Sequence, residues 1–340
     1  MSRIGAAART LGRGALLAVC CLLPVVVPQL SGQIAPRQSA FAPTTETTLY
    51  PIRPLGDGVY AVLGDSGKGA EGRPNAGFVD TRDGVVVVGG LASPAQARAV
   101  IRTIRRQTRR PIRWLVLYAH HPDMMFGAIE MKRAGAQVIA HPDTRVLAAE
   151  GGPDQLVADW DAVVGLQELL GFEYANRPDR AVTGTDTLRI GGRQIVILHP
   201  GPAHSAGDLL LWLPRDRVLF AGDVLLEDGV TMVVDGSSTA LLRALDLIDS
   251  LHPSVVVPGH GAIPRDPTLL TTRTRHYITT LRDSMRAEVK RETSLREALS
   301  AFPPADGGRP VTLNSRVRRN ALRVYLEMEK EVMGLEDGGP

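Results

Sequence analysis

Residues 200–223 read PGPAHSAGDLLLWLPRDRVLFAGD, and their pattern decides how the rest of the chain is read. The apolar runs Leu209–Leu213 and Val218–Ala221 have the length and composition of strands, and PRDR separates them. His204 stands in a Gly/Pro loop before the first run, and Asp223 follows the second after a single glycine. Loops beyond strand ends are where a rigid scaffold places functional side chains. Histidine and aspartate are costly to desolvate, so several of them brought together imply a metal or mutual pairing. The same placement recurs in AHHPDMMFG (119–127) and PGHG (258–261), and NAGFV (75–79) is a further loop-to-strand junction of this kind.

Outward from that stretch, strands alternate with helices. GVYAVLG (58–64) and NAGFVDTRDGVVVVGG (75–90) read as strands joined by a Gly/Asp turn. PAQARAVIRTIRRQ (94–107) reads as a helix capped by Ser93. WLVLYAHH reads as a buried strand, MMFGAIEMKRAG as a helix and QVIAHP as a strand. Residues 151–185 contain DQLVADWDAVVGLQELLG, a helical pattern expected to form a lid or insertion. TLRIGGRQIVILHP and VTMVVDG read as strands, ALLRALDLIDSL as a helix and SVVVPGHG as a strand running into a loop. Two β-rich halves, each with helices and with His- or Asp-bearing loops at strand ends, suit an α/β fold. The expected architecture is a four-layer αβ/βα sandwich with the site at the shared edge. Residues 266–340 form a helical extension in this reading. The amphipathic spacing of LRDSMRAEVKRE and SRVRRNALRVYLEMEKEV predicts packing on the core, with a homodimer contact as the alternative.

These motifs resemble the metallo-β-lactamase superfamily, and the likeness spans about residues 55–265, within an expected domain of residues 49–265. The family's lead motif is His-x-His-x-Asp-His with a Gly three residues later. Aligned on Asp123 and Gly127, this chain reads Ala119-His120-His121-Pro122-Asp123-Met124. Ala119 and Met124 therefore stand where the family has histidines, while His121, Asp123, His204, Asp223 and His260 match. The family's Asp-Thr-Gly appears as Gly89-Gly90-Leu91, without the carboxylate that supports the site from behind. The resemblance implies one metal position at His121, His204 and Asp223. It implies a second at Asp123, Asp223 and His260, with Asp223 bridging the two. His120 is not expected to replace Ala119: successive side chains of an extended backbone face opposite ways, so His121 inward turns His120 outward.

Three readings follow. In the first, one metal on two histidines and a carboxylate leaves open positions, a set suited to zinc, with iron or manganese as alternatives. Such a metal acidifies water for attack on an ester, thioester, lactone or similar small molecule, with Asp123 as the catalytic carboxylate that orients the nucleophile or takes its proton. In the second, the chain keeps the fold as a binding or structural module without turnover. In the third, water replaces the lost imidazoles in a weakened two-metal hydrolase. Asp223 stands where the commonest lactamase subclass places a cysteine ligand. The resemblance within the superfamily is to glyoxalase II-like thioester hydrolases and to exported zinc metallohydrolases associated with quinoprotein systems.

The ends and the charge fit an exported enzyme of small molecules. Residues 1–40 combine Arg3, Arg9 and Arg13 with the apolar run GALLAVCCLLPVVVP, which is short for a spanning helix and is interrupted by Pro24. A cleaved signal, a periplasmic or secreted destination and no membrane anchor after cleavage are expected. Cys20 and Cys21 are the only cysteines, so a processed chain would hold any metal by histidine and carboxylate alone. The net charge is +3, and the arginine-rich run 102–113 has no interleaved aromatics. It reads as a solvated helix face, not a nucleic-acid site.

Overall fold

A computed structural model describes residues 44–64, 73–145, 160–161, 164–171, 178–227, 229–301 and 316–335. The leader expected over residues 1–40 lies outside them, as does most of the DQLVADWDAVVGLQELLG segment.

Two mixed sheets face one another. The first runs β1 (Ile52–Gly56), β2 (Val59–Val62), β3 (Ala76–Thr81), β4 (Gly84–Val88), β5 (Ile112–Val116), β6 (Gln137–Ala140) and β7 (Arg180–Ala181), in that order. Its early hairpins are antiparallel and its β4-β5-β6-β7 part is parallel. The second sheet has the order β12 (Val255–Pro258), β11 (Val218–Gly222), β10 (Leu210–Leu213), β9 (Arg193–Leu198) and β8 (Thr185–Ile190), with β11 and β12 parallel.

Burial explains the layering. β4 is valine at four of five positions and buried throughout, as a strand covered on both faces must be. Val85 and Val87 pack outward with Val100 and Ile104 of α1 (Pro94–Gln107) and Met131 of α3 (Ala128–Arg133). Val86 and Val88 point inward to Ile195, Ile197, Leu211 and Phe220 of the second sheet. The far face of that sheet meets α5 (Ser238–Leu251), α6 (Thr268–Lys290), α7 (Leu295–Ala301) and α8 (Arg316–Met333) through Leu245, Ile278, Leu281, Ala298, Val324 and Met328. Helix, sheet, sheet and helix are the four expected layers, and the C-terminal helices pack on the core as their spacing predicts.

Local signals act where they were read. Ser93 caps α1 by accepting from the Gln96 amide at 3.1 Å, with Pro94 at the first helical position. Of residues 151–185, the short α4 (Leu166–Leu169) lies by the start of α1, where Glu168 accepts from Ser93 Oγ and Trp160 Nε1 donates to the Ala92 carbonyl.

Three expectations about elements do not hold. WLVLYAHH is a strand only as far as Val116, and MMFGAIEMKRAG breaks into the one-turn α2 (Pro122–Met125) and α3. VTMVVDG is not a strand. It runs as a loop with a turn at Val234, and two of its backbone groups are taken by a side chain of α8: Asn320 accepts from the Val233 amide at 2.9 Å and donates to the Thr231 carbonyl at 2.8 Å. A single bridge between Ser205 and Asp235 is its only ladder contact among the described residues.

Candidate metal centre

The chain leaves β5 at Val116 and turns into α2 at Pro122, whose ring suits the first helical position. The residue before a proline is pushed to extended backbone, and His121 has φ −68° and ψ 146°. That places the His121 ring at the mouth of α2 and Asp123 on its first turn. The turn is seated on the 89–91 loop: Gly90 N donates to the Met124 carbonyl at 2.9 Å and Gly127 N to the Leu91 carbonyl at 3.0 Å. A Cβ at Gly127 would lie 2.4 Å from the Gly90 carbonyl oxygen, so only glycine permits this approach. Ala119 and Met124, at the two positions that carry histidine in the family motif, are buried among apolar side chains.

His204 is held by its own loop. The buried Asp208 carboxylate accepts from His204 N at 2.6 Å, from Ser205 N at 3.0 Å and from Ser205 Oγ at 2.5 Å. Burial pushes this carboxyl above its usual range, against the pull of His204 and the donors. Asp223 comes directly after β11, and His260 lies in the loop directly after β12. Asn75 clamps that loop, donating from Nδ2 to the Pro258 carbonyl at 3.0 Å and the Gly261 carbonyl at 2.8 Å. A Cβ at Gly259 would fall 1.9 Å from Asp223 Oδ1, so glycine there keeps the carboxylate in place.

All five residues singled out from the sequence converge. Donor atoms of His121, His204 and Asp223 lie within 4.8 Å of one another, and so do those of Asp123, Asp223 and His260. Asp223 spans the two groups, with Oδ2 3.7 Å from His204 Nε2 and Oδ1 3.7 Å from His260 Nε2. His260 Nε2 also donates to Asp123 Oδ2 at 2.9 Å.

The donor set fits a cation. His204 Nδ1 meets the Met232 carbonyl at 2.8 Å, and His121 Nε2 meets Asp235 Oδ2 at 3.0 Å. A carbonyl and a carboxylate only accept, so each ring spends its proton there. The remaining nitrogens, His204 Nε2 and His121 Nδ1, then face each other as lone pairs at 2.7 Å. Something positive must lie between or beside them, either a proton or a metal. Asp223 Oδ1 is buried without a hydrogen-bond partner among the described residues, as an open ligand atom would be.

In the metal-free protein, protons take this role. Burial alone would lower the pKa of His260 and of His121. At His260 it is outweighed by the Asp223 charge and the Asp123 bond, which raise its pKa to about 9. At His121 the Asp235 bond and the charges of Asp123, Asp235 and Asp223 raise it. Burial would raise Asp123, but its bond to His260 and the surrounding histidines hold it below the ordinary carboxylate range.

One expectation about the site is overturned. His120 does not face outward: it is 7% exposed, with its ring 4.3 Å from that of His121 and its Nε2 4.0 Å from Asp235 Oδ2. Strand alternation does not apply because β5 has ended and residues 120–121 form a bend. Burial and the neighbouring His121 push its pKa down to about 3, so it is neutral. Asp235 was not singled out either, since a single aspartate before Gly-Ser-Ser carries no motif. The carboxylate missing at Gly89 is thus supplied from the opposite half of the fold, with Asp235 orienting His121 from behind. His141 and His199 stack on each other at 4.2 Å as packing residues, and His276 is exposed.

Comparison with known proteins agrees with this geometry. A family model described as "Metallo-beta-lactamase superfamily" matches residues 69–260. A type 2 metallo-beta-lactamase of Bacteroides fragilis is 30% identical over 89 residues, covering 25% of this chain and 36% of the relative. An atrochrysone carboxyl ACP thioesterase of Aspergillus chevalieri is 27% identical over 169 residues, 44% of this chain and 52% of that protein. The chain therefore spans well under two thirds of the length of either relative. Among solved structures, a metallo-beta-lactamase from Pontibacter korlensis superposes with a TM-score of 0.53 at 19% identity, covering 68% of this chain and 99% of its own, which speaks for the fold. With the family model matching more than half of its 340 residues, two facing sheets between helices and candidate metal-binding side chains at their shared edge, the chain belongs to the metallo-β-lactamase superfamily.

Proposed function

We propose that the protein is an exported, metal-dependent hydrolase of small-molecule esters, thioesters or lactones, with zinc as its resident cation. The observation that carries this reading is the position of Asp223, whose two oxygens face His204 and His260 at equal distance, beside two imidazole nitrogens whose lone pairs oppose one another. His121, His204 and Asp223 would hold one cation, and Asp123, Asp223 and His260 a second or a bound water. A divalent cation there supplies Lewis acidity and lowers the pKa of water toward neutrality. Asp123 stays ionised, so it orients a water by accepting its hydrogen bond and is a poor store for its proton. Ala119 and Met124, next to His120 and Asp123 in the chain, are buried among apolar side chains, and a low-dielectric surrounding strengthens electrostatic interactions.

The thioesterase relative and the aspartate at position 223 favour thioesters as the first substrate class to assay. The leader composition favours a periplasmic or secreted location. Buried alanine and methionine at two ligand positions favour a second reading, a binding module without turnover. Metal analysis of the purified full chain, with thioester, lactone and β-lactam hydrolysis, separates the two. The enzyme reading expects bound metal and turnover, with both lost in Asp223→Ala. A chain that binds no metal and shows no turnover under excess zinc or manganese sinks it, and activity that survives Asp223→Ala places the centre elsewhere.

A further inference from the structure

His121 presents its ring nitrogens to two different sets of partners. Nδ1 faces His204 and Asp223, the centre described above; Nε2 faces away from it, toward Asp235 and His120. Donor atoms of His120, His121 and Asp235 lie within 4.8 Å of one another, the same closeness that marks the two groups around Asp223. His120 is more than nine-tenths buried, makes no hydrogen bond that would account for a buried polar ring, and leaves Nδ1 without a partner among the described residues. A buried polar side chain left in this state normally costs stability, so its presence beside a carboxylate and a second imidazole asks for a ligand.

We propose that His120, His121 Nε2 and Asp235 form an additional cation site adjoining the Asp223 centre; the cation displaces the His121 Nε2 proton to solvent, so that the ring is shared by the two sites as a bridging imidazolate. Two imidazoles and one carboxylate with open positions suit Zn2+ or Cu2+. The site is reachable, because the Asp235 side chain is 42% exposed at its mouth. It is also pre-organised. The Asp235 backbone bridges to Ser205, and α8 holds the flanking residues through Asn320 and through Arg323 Nη2, which donates to the Gly236 carbonyl at 2.7 Å. This cluster is a third group of candidate ligand atoms, beside the two that share Asp223. This goes beyond the hydrolase reading, which needs only the five residues around Asp223.

The test is zinc stoichiometry of the full-length chain, measured by calorimetric titration and by elemental analysis after desalting. His120→Ala and Asp235→Asn each bind one Zn2+ fewer than the wild type. Asparagine keeps an oxygen that accepts the His121 N–H, so an Asp235 that merely orients the ring leaves stoichiometry unchanged in that variant. His260→Ala retains the Zn2+ that His120→Ala loses, and the double variant lacks both. Cu2+ provides a second readout. Two copper ions on one imidazole couple magnetically and weaken the isolated-copper resonance, and His120→Ala restores it. Wild-type stoichiometry in both His120→Ala and Asp235→Asn overturns the proposal. Zinc content that falls in His120→Ala but not in Asp223→Ala overturns the hydrolase centre and leaves this site standing. A wild type that binds no zinc overturns both.

Discussion

Asp208 touches no proposed substrate, yet three donors converge on its buried carboxylate and two of them are the backbone amides of His204 and Ser205. Replacing it with alanine strands those amides in the interior, at about 1–3 kcal/mol each. Asp208→Ala should therefore lower unfolding stability by about 2–5 kcal/mol and weaken zinc binding about 10–100-fold, the range seen when outer partners of a ligand are removed. Urea titration and calorimetry check this, and unchanged zinc affinity would show that the 200–208 loop holds His204 without it. His260 carries the pH dependence. Its folded pKa of about 9 lies above the value near 6.5 expected for an unfolded chain, so its stabilising charge is fully present below pH 6.5 and is lost as pH rises through 9. The metal-free protein should thus lose stability between pH 7 and 9. Zinc must displace that same proton, so its affinity should climb over the same window. Thermal melts and zinc titrations at pH 7, 8 and 9 test both slopes, and His260→Gln should flatten them.

Among elements, what was legible in the sequence was what local physics decides. The valine run of β4 and the Ser93 cap need only neighbours in the chain to be understood. The five residues around Asp223 could be read because each follows an apolar strand in a loop with fixed punctuation: Gly and Pro before His204, Gly before Asp223, Pro-Gly before His260. His120 and Asp235 were not legible, for a different reason. Where His120 points depends on β5 ending five residues before His121, and where Asp235 sits depends on Asn320, which lies 87 residues beyond Val233. VTMVVDG has a strand's composition, but Asn320 supplies the hydrogen bonds that a neighbouring strand would otherwise make. Asn320→Ala removes both bonds and also the contact to Tyr277 Oη at 3.1 Å. The loss should be about 2–4 kcal/mol, since the Val233 amide and Thr231 carbonyl are left buried and unpaired. Faster proteolysis within 229–236 should accompany it. A variant as stable and as protease-resistant as the wild type would mean that α8 is not what shapes this segment.

At the scale of the molecule, the ligands are divided between two sheets. His120, His121 and Asp123 follow the first sheet's β5, whereas His204, Asp223, Asp235 and His260 come from the second sheet and its loops. Between the sheets the layers are held by apolar packing of Val86, Val88, Ile197, Leu211 and Phe220, which has no direction and no charge requirement. At the edge, by contrast, the two halves meet through paired histidines and carboxylates that a cation would draw together. Binding to the folded state alone stabilises it by about 2.7 kcal/mol at a ligand concentration 100 times Kd. For a chain of this size that should raise Tm by about 4 °C. Chelation should reverse the gain, and its effect should be local. Amide exchange should quicken in 119–127, 200–208 and 258–261, while the buried amides of β4 and β11 keep their protection. The same pattern should already be present in Asp223→Ala before any chelator is added, because that carboxylate faces both halves of the ligand set. Exchange that quickens evenly through both sheets would instead mean that the cation supports the whole sandwich, and exchange that does not change would mean that the two halves hold their edge in register without it.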